Sequence, residues 1–217
     1  MPLAYDSAAA VAHLMKRDKP LARLMREVPF TLEPPRVTTP FESLLRAIVS
    51  QQLSGKAAKT IHTRVVELHA PAKRPTPEAL LEIPDEALRG AGISRNKLAA
   101  VRDLAQKSLD GTVPTMRALK RMDDAEIIER LTQVRGVGVW TVEMMLMFTL
   151  GRPDVLPLAD LGVRQGFMHA YGHAAVPAID VIEAHAERWR PYRSVGSWYM
   201  WRAVERHRQA KAAGAKK

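Results

Sequence analysis

A chain of 217 residues, 47% of them hydrophobic, has the material for a sizeable core, and that composition excludes disorder throughout. It contains no cysteine, which rules out disulfides, cysteine-ligated zinc, iron–sulfur clusters and thiol catalysis together. Lys and Arg number 33 against 23 Asp and Glu, a net charge of +10, and such a surplus favours a polyanionic partner because each neutralised phosphate releases condensed counterions. Charge alone leaves a merely soluble basic protein, or a ribosome-associated one, equally open. No apolar run reaches the ~18 residues a membrane span needs. The N-terminal charges follow the apolar part, the wrong order for a secretory signal, so a cytoplasmic location is expected, with the nucleoid if the source is bacterial.

Apolar spacing is helical almost throughout, and no alternating strand pattern stands out. A first helix is predicted over about residues 6–16. Residues 29–40 hold four prolines, which remove backbone donors and restrict the preceding residues, so an extended crossing is expected there. From Phe41 the sequence turns strongly helical (FESLLRAIVSQQ), and a second helix, SGKAAKTIHTRVVELHA, has Ser54 as its N-cap. Short helices follow at about 77–83 and 85–90. A longer one, SRNKLAAVRDLAQKSLDG, is capped by Ser94 and ended by Gly111. Two more are expected at about 115–121 and 124–132.

Leu131 to Leu150 then reads as helix, hairpin, helix. Gly136 and Gly138 permit positive φ and leave the backbone uncovered on one side. A helix beginning near Val139 turns its unladdered N–H groups and positive dipole end toward whatever lies above the hairpin, an arrangement suited to a phosphate oxygen. A lone Gly-x-Gly would favour an ordinary helix–helix turn, and it is the wider run, R-G-V-G-V-W-T-V-E-M-M, that shifts the balance. LRGAGISRNKL (88–98) echoes VRGVGVWTVEM (134–144), and the first copy is assigned a structural role. The tail AKAAGAKK is expected to be frayed and solvated.

Asp160, between LPLA and the helical LGVRQGF, reads first as an N-cap. Asp154 reads as a turn residue. His169 and His173 are spaced as two ligands on one helix face, but no third ligand suggests itself. His62 and His69 are expected on a helix surface, and Met144, Met145 and Met147 are more core-like than ligand-like.

The run Arg135-Gly-Val-Gly-Val-Trp-Thr141 resembles the helix-hairpin-helix DNA glycosylase superfamily, in particular its 3-methyladenine, alkylation-repair branch. That branch carries Pro-Gly-Val/Ile-Gly-x-Trp-Thr-Ala, matched at Gly136, Val137, Gly138, Trp140 and Thr141. The chain departs from it at Arg135, where proline is usual, and at Val142, where alanine is usual. LLRAIVSQQLSGKAAKTI (44–61) is similar to the family's wedge-loop segment. GISRNKLAAVRDLA (92–105) is similar to its next helix, DVLPLADLGVRQGF (154–167) to its catalytic-aspartate segment, and ERWRPYRSVGSWYMW (187–201) to its C-terminal signature. The matches run in family order over roughly 40–205.

The resemblance implies Asp160 as the catalytic carboxylate, with Ala159 where many relatives carry a second acid. It implies Trp140, Met144 and Trp201 as the substrate pocket, with core packing the lesser alternative for Trp140 and Trp201. Gln52, flanked by Gln51 and Leu53, stands at the intercalating position, although by themselves Gln51 and Gln52 read as capping or extending a helix, while Arg135, Gly136 and Gly138 would hold the DNA backbone. Bifunctional relatives have a lysine where this chain has Trp140, so a monofunctional enzyme is implied. No cofactor and no side-chain metal site are expected. A monovalent cation on hairpin carbonyls is implied by the family alone.

The expected fold is all-α: two helical lobes with a DNA-binding cleft between them and no N-terminal β domain. The inner lobe would cover 41–149, and the second would combine 1–40 with 150–217. The partner is double-stranded DNA containing damaged bases, and the protein is expected to be a monomer. Two rivals remain in view: a noncatalytic helix-hairpin-helix binding module, and a glycosylase with lyase activity or one for oxidised or mismatched bases.

Overall fold

The computed structural model describes residue 3 and residues 5–32, 39–72 and 74–214. Among these there is no β-strand, and the helices run in chain order as α1 (Ser7–Arg17), α2 (Lys19–Glu27), α3 (Pro40–Ser50), α4 (Gly55–Glu67), α5 (Pro77–Glu82), α6 (Asp85–Gly90), α7 (Arg95–Leu109), α8 (Met116–Leu119), α9 (Asp124–Leu131), α10 (Val139–Phe148), α11 (Leu161–Tyr171), α12 (Ile179–Ala186) and α13 (Arg193–Gly214). A 3₁₀ turn, Glu187–Trp189, precedes α13. The all-helical expectation holds. No helix among the described residues is long and apolar enough to cross a membrane.

Polar caps set most of the helix starts. Thr39 accepts from the Glu42 N–H while Glu42 reaches back to the Thr39 N–H, a capping box, with Pro40 at the first helical position. Ser54 and Ser94 cap α4 and α7 as their sequences predict, and Gly111 takes φ +84° just past α7.

Three expectations change. Helix α2 follows α1 after one residue, because Asp18 ends the first and caps the second. The C-terminal helix continues to Gly214, so residues 210–214 of the supposedly frayed tail are helical although exposed. His69 is buried rather than on the surface, its Nδ1 paired with the Val65 carbonyl at 2.8 Å. Most of the proline-rich crossing, residues 33–38, and the last three residues of the tail lie outside the described residues.

The chain divides into two compact units, Arg36–Met145 and Met1–Pro35 with Leu146–Lys217. In the first, α3 and α5 pack on α7 around the fully buried Leu44, Leu45, Ile48, Leu80, Leu88 and Leu104. Burying side chains of this size is worth roughly 1.5–3 kcal/mol each. Arg102 of α7 donates to the Leu80 and Ile83 carbonyls and pairs with Asp85, so α5 ends and α6 begins on its guanidinium.

In the second unit, α11 and α13 form the main pair. They meet through glycine: a Cβ on Gly166 would lie 1.9 Å from the Met200 carbonyl oxygen, so only a hydrogen fits between the two backbones. Leu14, Leu21, Phe167, Ile182, Trp189 and Tyr199 close the core around that contact. At its centre lies Asp18, 1% exposed. Its Oδ2 accepts from Tyr171 Oη at 2.6 Å, His185 Nε2 at 2.8 Å and Trp189 Nε1 at 2.9 Å, while Oδ1 accepts from the Leu21 N–H. Burial pushes this carboxyl up, but the donors from His185, Tyr171, Trp189 and Leu21 outweigh it and lower its pKa to about 2. An ionised Asp18 offers only acceptors, so the His185 Nε2 bears the shared proton.

Candidate active site and nucleic-acid interface

Helix α7 holds the hairpin before α10. Asp103 Oδ2 accepts from the Arg135 N–H at 2.7 Å and from Lys107 Nζ at 3.0 Å, and Lys107 also donates to the Gln133 carbonyl. This accounts for the departure at Arg135. A proline there would have no N–H for Asp103, so the turn is fixed by a charge-assisted hydrogen bond in place of a ring. Gly136 takes φ +77°, and its Cβ position lies 3.4 Å from the Ala100 methyl. Gly138, expected to share that freedom, is not in the left-handed region. Its carbonyl instead starts the α10 ladder, accepting from the Thr141 and Val142 N–H groups.

Arg135, Gly136, Gly138, Val139 and Trp140 are all exposed, the indole by 45%, so Trp140 is not core packing. Met145 and Met147 are buried and Met144 is half-buried. Three hairpin carbonyls already accept protein N–H groups: Val134 from Val137, Gly136 from the Gln51 side chain and Gly138 from α10. These partners give no positive sign of a cation cage.

The loop after α3 separates the roles of neighbouring residues. Gln51 Nε2 donates to the Gly136 carbonyl at 2.8 Å, so its amide is turned to the hairpin. Gln52 is exposed at φ +57°, the one non-glycine residue among those described with positive φ, and Leu53 beside it is 37% exposed. With Ser94, Asn96, Lys97, Arg135 and Gly136, Gln52 lines a groove of about 400 Å³.

In the other unit, Asp160 caps α11, its Oδ1 accepting from the Val163 N–H at 2.8 Å. The same oxygen accepts from Trp201 Nε1 at 2.9 Å, and the Trp201 ring stacks on Phe148 with centroids 5.7 Å apart. Trp201 therefore orients the carboxylate, a role the sequence did not suggest for it, and Phe148 is a further residue it did not single out. Gly162 makes the approach possible. A Cβ there would lie 2.7 Å from Trp201 Cδ1 and 3.0 Å from Asp160 Oδ1. Gly162→Ala should displace the carboxylate, and for a reacting group an ångström-scale misplacement costs up to about 100-fold in rate. Single-turnover rates beside a melting curve check this. Unchanged rates would mean the Asp160–Trp201 contact has no bearing on chemistry.

Asp154, read from the sequence as a turn residue, anchors the segment that delivers Asp160. Its carboxylate accepts from Arg193 Nε at 2.8 Å and from Arg190 Nη1 at 2.6 Å. Ser194 Oγ donates to the Arg152 carbonyl and accepts from the Val155 N–H, and Ser197 Oγ donates to the Val155 carbonyl. The arginines and serines of RPYRSVGS thus clamp residues 152–155. The histidine pair does not form a ligand set. His169 stacks on His207 and His173 on Phe167, and no group of three potential ligands exists among the described residues.

An all-helical chain with a glycine hairpin leading into an exposed helix start, and a helix-capping aspartate oriented by an indole, has the architecture of a helix-hairpin-helix repair protein. The model of the HhH-GPD superfamily of base excision DNA repair proteins matches residues 45–191, and the chain belongs to that superfamily. It is 37% identical over 163 residues to DNA-3-methyladenine glycosylase 1 of Schizosaccharomyces pombe, covering 75% of this chain and 72% of that protein. An alkylbase DNA glycosidase-like protein, mag2, of the same yeast is 31% identical over 94% of this chain and 97% of its own length. Among solved structures, S. pombe Mag1 in complex with abasic DNA superposes with a TM-score of 0.79 at 36% identity, over 89% of this chain and 95% of that one. A DNA-3-methyladenine glycosidase from Bacillus halodurans gives 0.81 at 34% identity, over 89% and 88%.

Proposed function

We propose that this protein is a monofunctional DNA glycosylase of base excision repair. It hydrolyses the N-glycosidic bond of alkylated purines, 3-methyladenine among them, in duplex DNA and leaves an abasic site. The observation that carries this reading is the Asp160 carboxylate, held at a helix N-terminus by the Val163 N–H and the Trp201 indole, in a chain whose relatives include proteins named DNA-3-methyladenine glycosylase.

The chemistry asks little beyond that anion. The target nucleotide leaves the stack, and Gln52 enters the gap it vacates. As the bond from C1′ to the base nitrogen breaks, its electron pair departs with the base and positive charge develops on the sugar. A fixed carboxylate stabilises that charge as it grows. A water oxygen then bonds to C1′, and its proton passes to Asp160 or to solvent. A purine alkylated at N3 or N7 is already cationic and leaves without a general acid. The exposed π face of Trp140 suits such a cation. No lysine stands at position 140 to form a Schiff base with the sugar, which favours hydrolysis without strand cleavage. The backbone is gripped at the hairpin, where Gly136 and Gly138 leave amides accessible and Arg135 adds charge. One copy of the chain carries every residue named, so the active form is taken to be a monomer.

Incubated with methylated duplex DNA, the protein should release free methylated purines and leave strands that break only after alkali or heat. Chromatography of the released bases and a denaturing gel check both halves. Absence of base release would sink the glycosylase reading, and nicking without alkali would sink the monofunctional one.

A further inference from the structure

We propose that Lys97 is a positioning residue that sets the wedge loop, fixing Gln52 for insertion through the loop's backbone and not through a DNA contact of its own. This deepens the functional reading above and rests on it for the role of Gln52.

The observations concern one ammonium group. Lys97 Nζ donates to the Val49 carbonyl and to the Gln51 carbonyl, each at 2.7 Å. Those oxygens belong to the end of α3, where carbonyls have no further helical partner and the dipole is negative. The cation is half-buried, and burial lowers its pKa, so it is spending solvation to hold this position. Two of its three N–H groups are committed to backbone oxygens, which sets it apart from a surface lysine waiting for a phosphate.

What the lysine grips is the strained part of the loop. The chain leaves α3 at Gln51, and Gln52 adopts φ +57°, a conformation that costs a non-glycine residue about 1–3 kcal/mol and persists only where neighbours over-determine it. Two ties hold the chain just before it: Lys97 on the backbone of Val49 and Gln51, and the Gln51 side chain on the Gly136 carbonyl. Beyond it, the Leu53 N–H closes a turn onto the Ser50 carbonyl at 3.3 Å. The result is a loop whose exposed glutamine is preset relative to the hairpin, so little ordering is left to do when a base is displaced.

The test replaces the ammonium by a thioether of similar shape, Lys97→Met. In the protein without DNA, hydrogen exchange of residues 50–54 should quicken by roughly tenfold or more while α5, α9 and the remainder of α7 keep their protection. Unchanged exchange in that segment would overturn the proposal. In single-turnover base release from methylated duplex DNA, Lys97→Met and Gln52→Ala should each slow the reaction, and the double variant should be no slower than Gln52→Ala alone, because the lysine acts through the glutamine. Additive losses would overturn the proposal, as would a fall of about one in the slope of binding against salt, the mark of a lost phosphate contact. If Lys97→Met melts globally, Lys97→Gln, which keeps an N–H donor, takes its place. If the wild type releases no base, the functional reading fails by itself, and the exchange measurement still decides whether Lys97 holds the loop.

Discussion

Asp160→Asn should slow base release from methylated duplex DNA by roughly 100–1,000-fold, the usual cost of removing one preorganised electrostatic contact to a transition state. Stability should stay nearly unchanged. The two parts separate because Asp160 holds two jobs on one side chain. As an N-cap it accepts from the Val163 N–H, and asparagine caps as well as aspartate does. An asparagine oxygen can also keep the Trp201 hydrogen bond. What goes is the charge, and charge is what a developing oxocarbenium ion requires. Asp160→Ala removes the cap as well, so it should add about 0.5–2 kcal/mol of destabilisation to a similar loss of rate. Base release in single turnover and a melting curve on each variant settle the matter. An asparagine variant as active as the wild type would remove Asp160 from the chemistry.

The second large effect falls on stability, far from any chemistry. Asp18→Asn should cost about 3–5 kcal/mol, because a buried charged hub with one partner removed leaves its donors uncompensated. In a chain of this size that corresponds to a fall of roughly 10 °C in melting temperature. The pH dependence has a definite sign. The folded state holds the Asp18 carboxyl at about 2, below its unfolded value of ~4. The stabilisation is therefore fully present above pH ~4 and is lost as pH falls toward 2. Wild-type protein should lose stability through that window, and Asp18→Asn, already lacking the contribution, should show a flatter profile. Denaturant melts between pH 2 and 6 measure both. Equal pH profiles for the two proteins would show that the carboxylate is not what ties α1 and α2 to Tyr171, His185 and Trp189.

Much of the helix list was open to reading because its signals are local. Thr39, Ser54 and Ser94 act within three residues of themselves, and a cap needs nothing from the rest of the chain. The hairpin was readable for the same reason, and so was Asp160 as a cap. Helix α2 escaped because Asp18, between two short helices, looks like one more charged residue in MKRDKP. Its meaning comes from Tyr171, His185 and Trp189, more than 150 positions away. Asp154 escaped likewise: a turn is the right local description, and the arginines that hold it are 36 and 39 residues further on.

The amino-acid sequence by itself determined that the chain is helical, where most helices begin, which superfamily it resembles, and which aspartate precedes Leu-Gly-Val. Each of these depends on caps, periodicity or a short contiguous run. Only the tertiary structure decided that Trp201 orients that aspartate, that Gly162 and Gly166 are empty because α13 approaches, and that Asp103 replaces a proline ring in fixing the hairpin. It also decided which of two adjacent glutamines is free to face outward. The physical reason is one of range: a hydrogen bond between side chains distant in sequence leaves no periodic trace, and a missing Cβ has meaning only once the atom that would collide with it is in place.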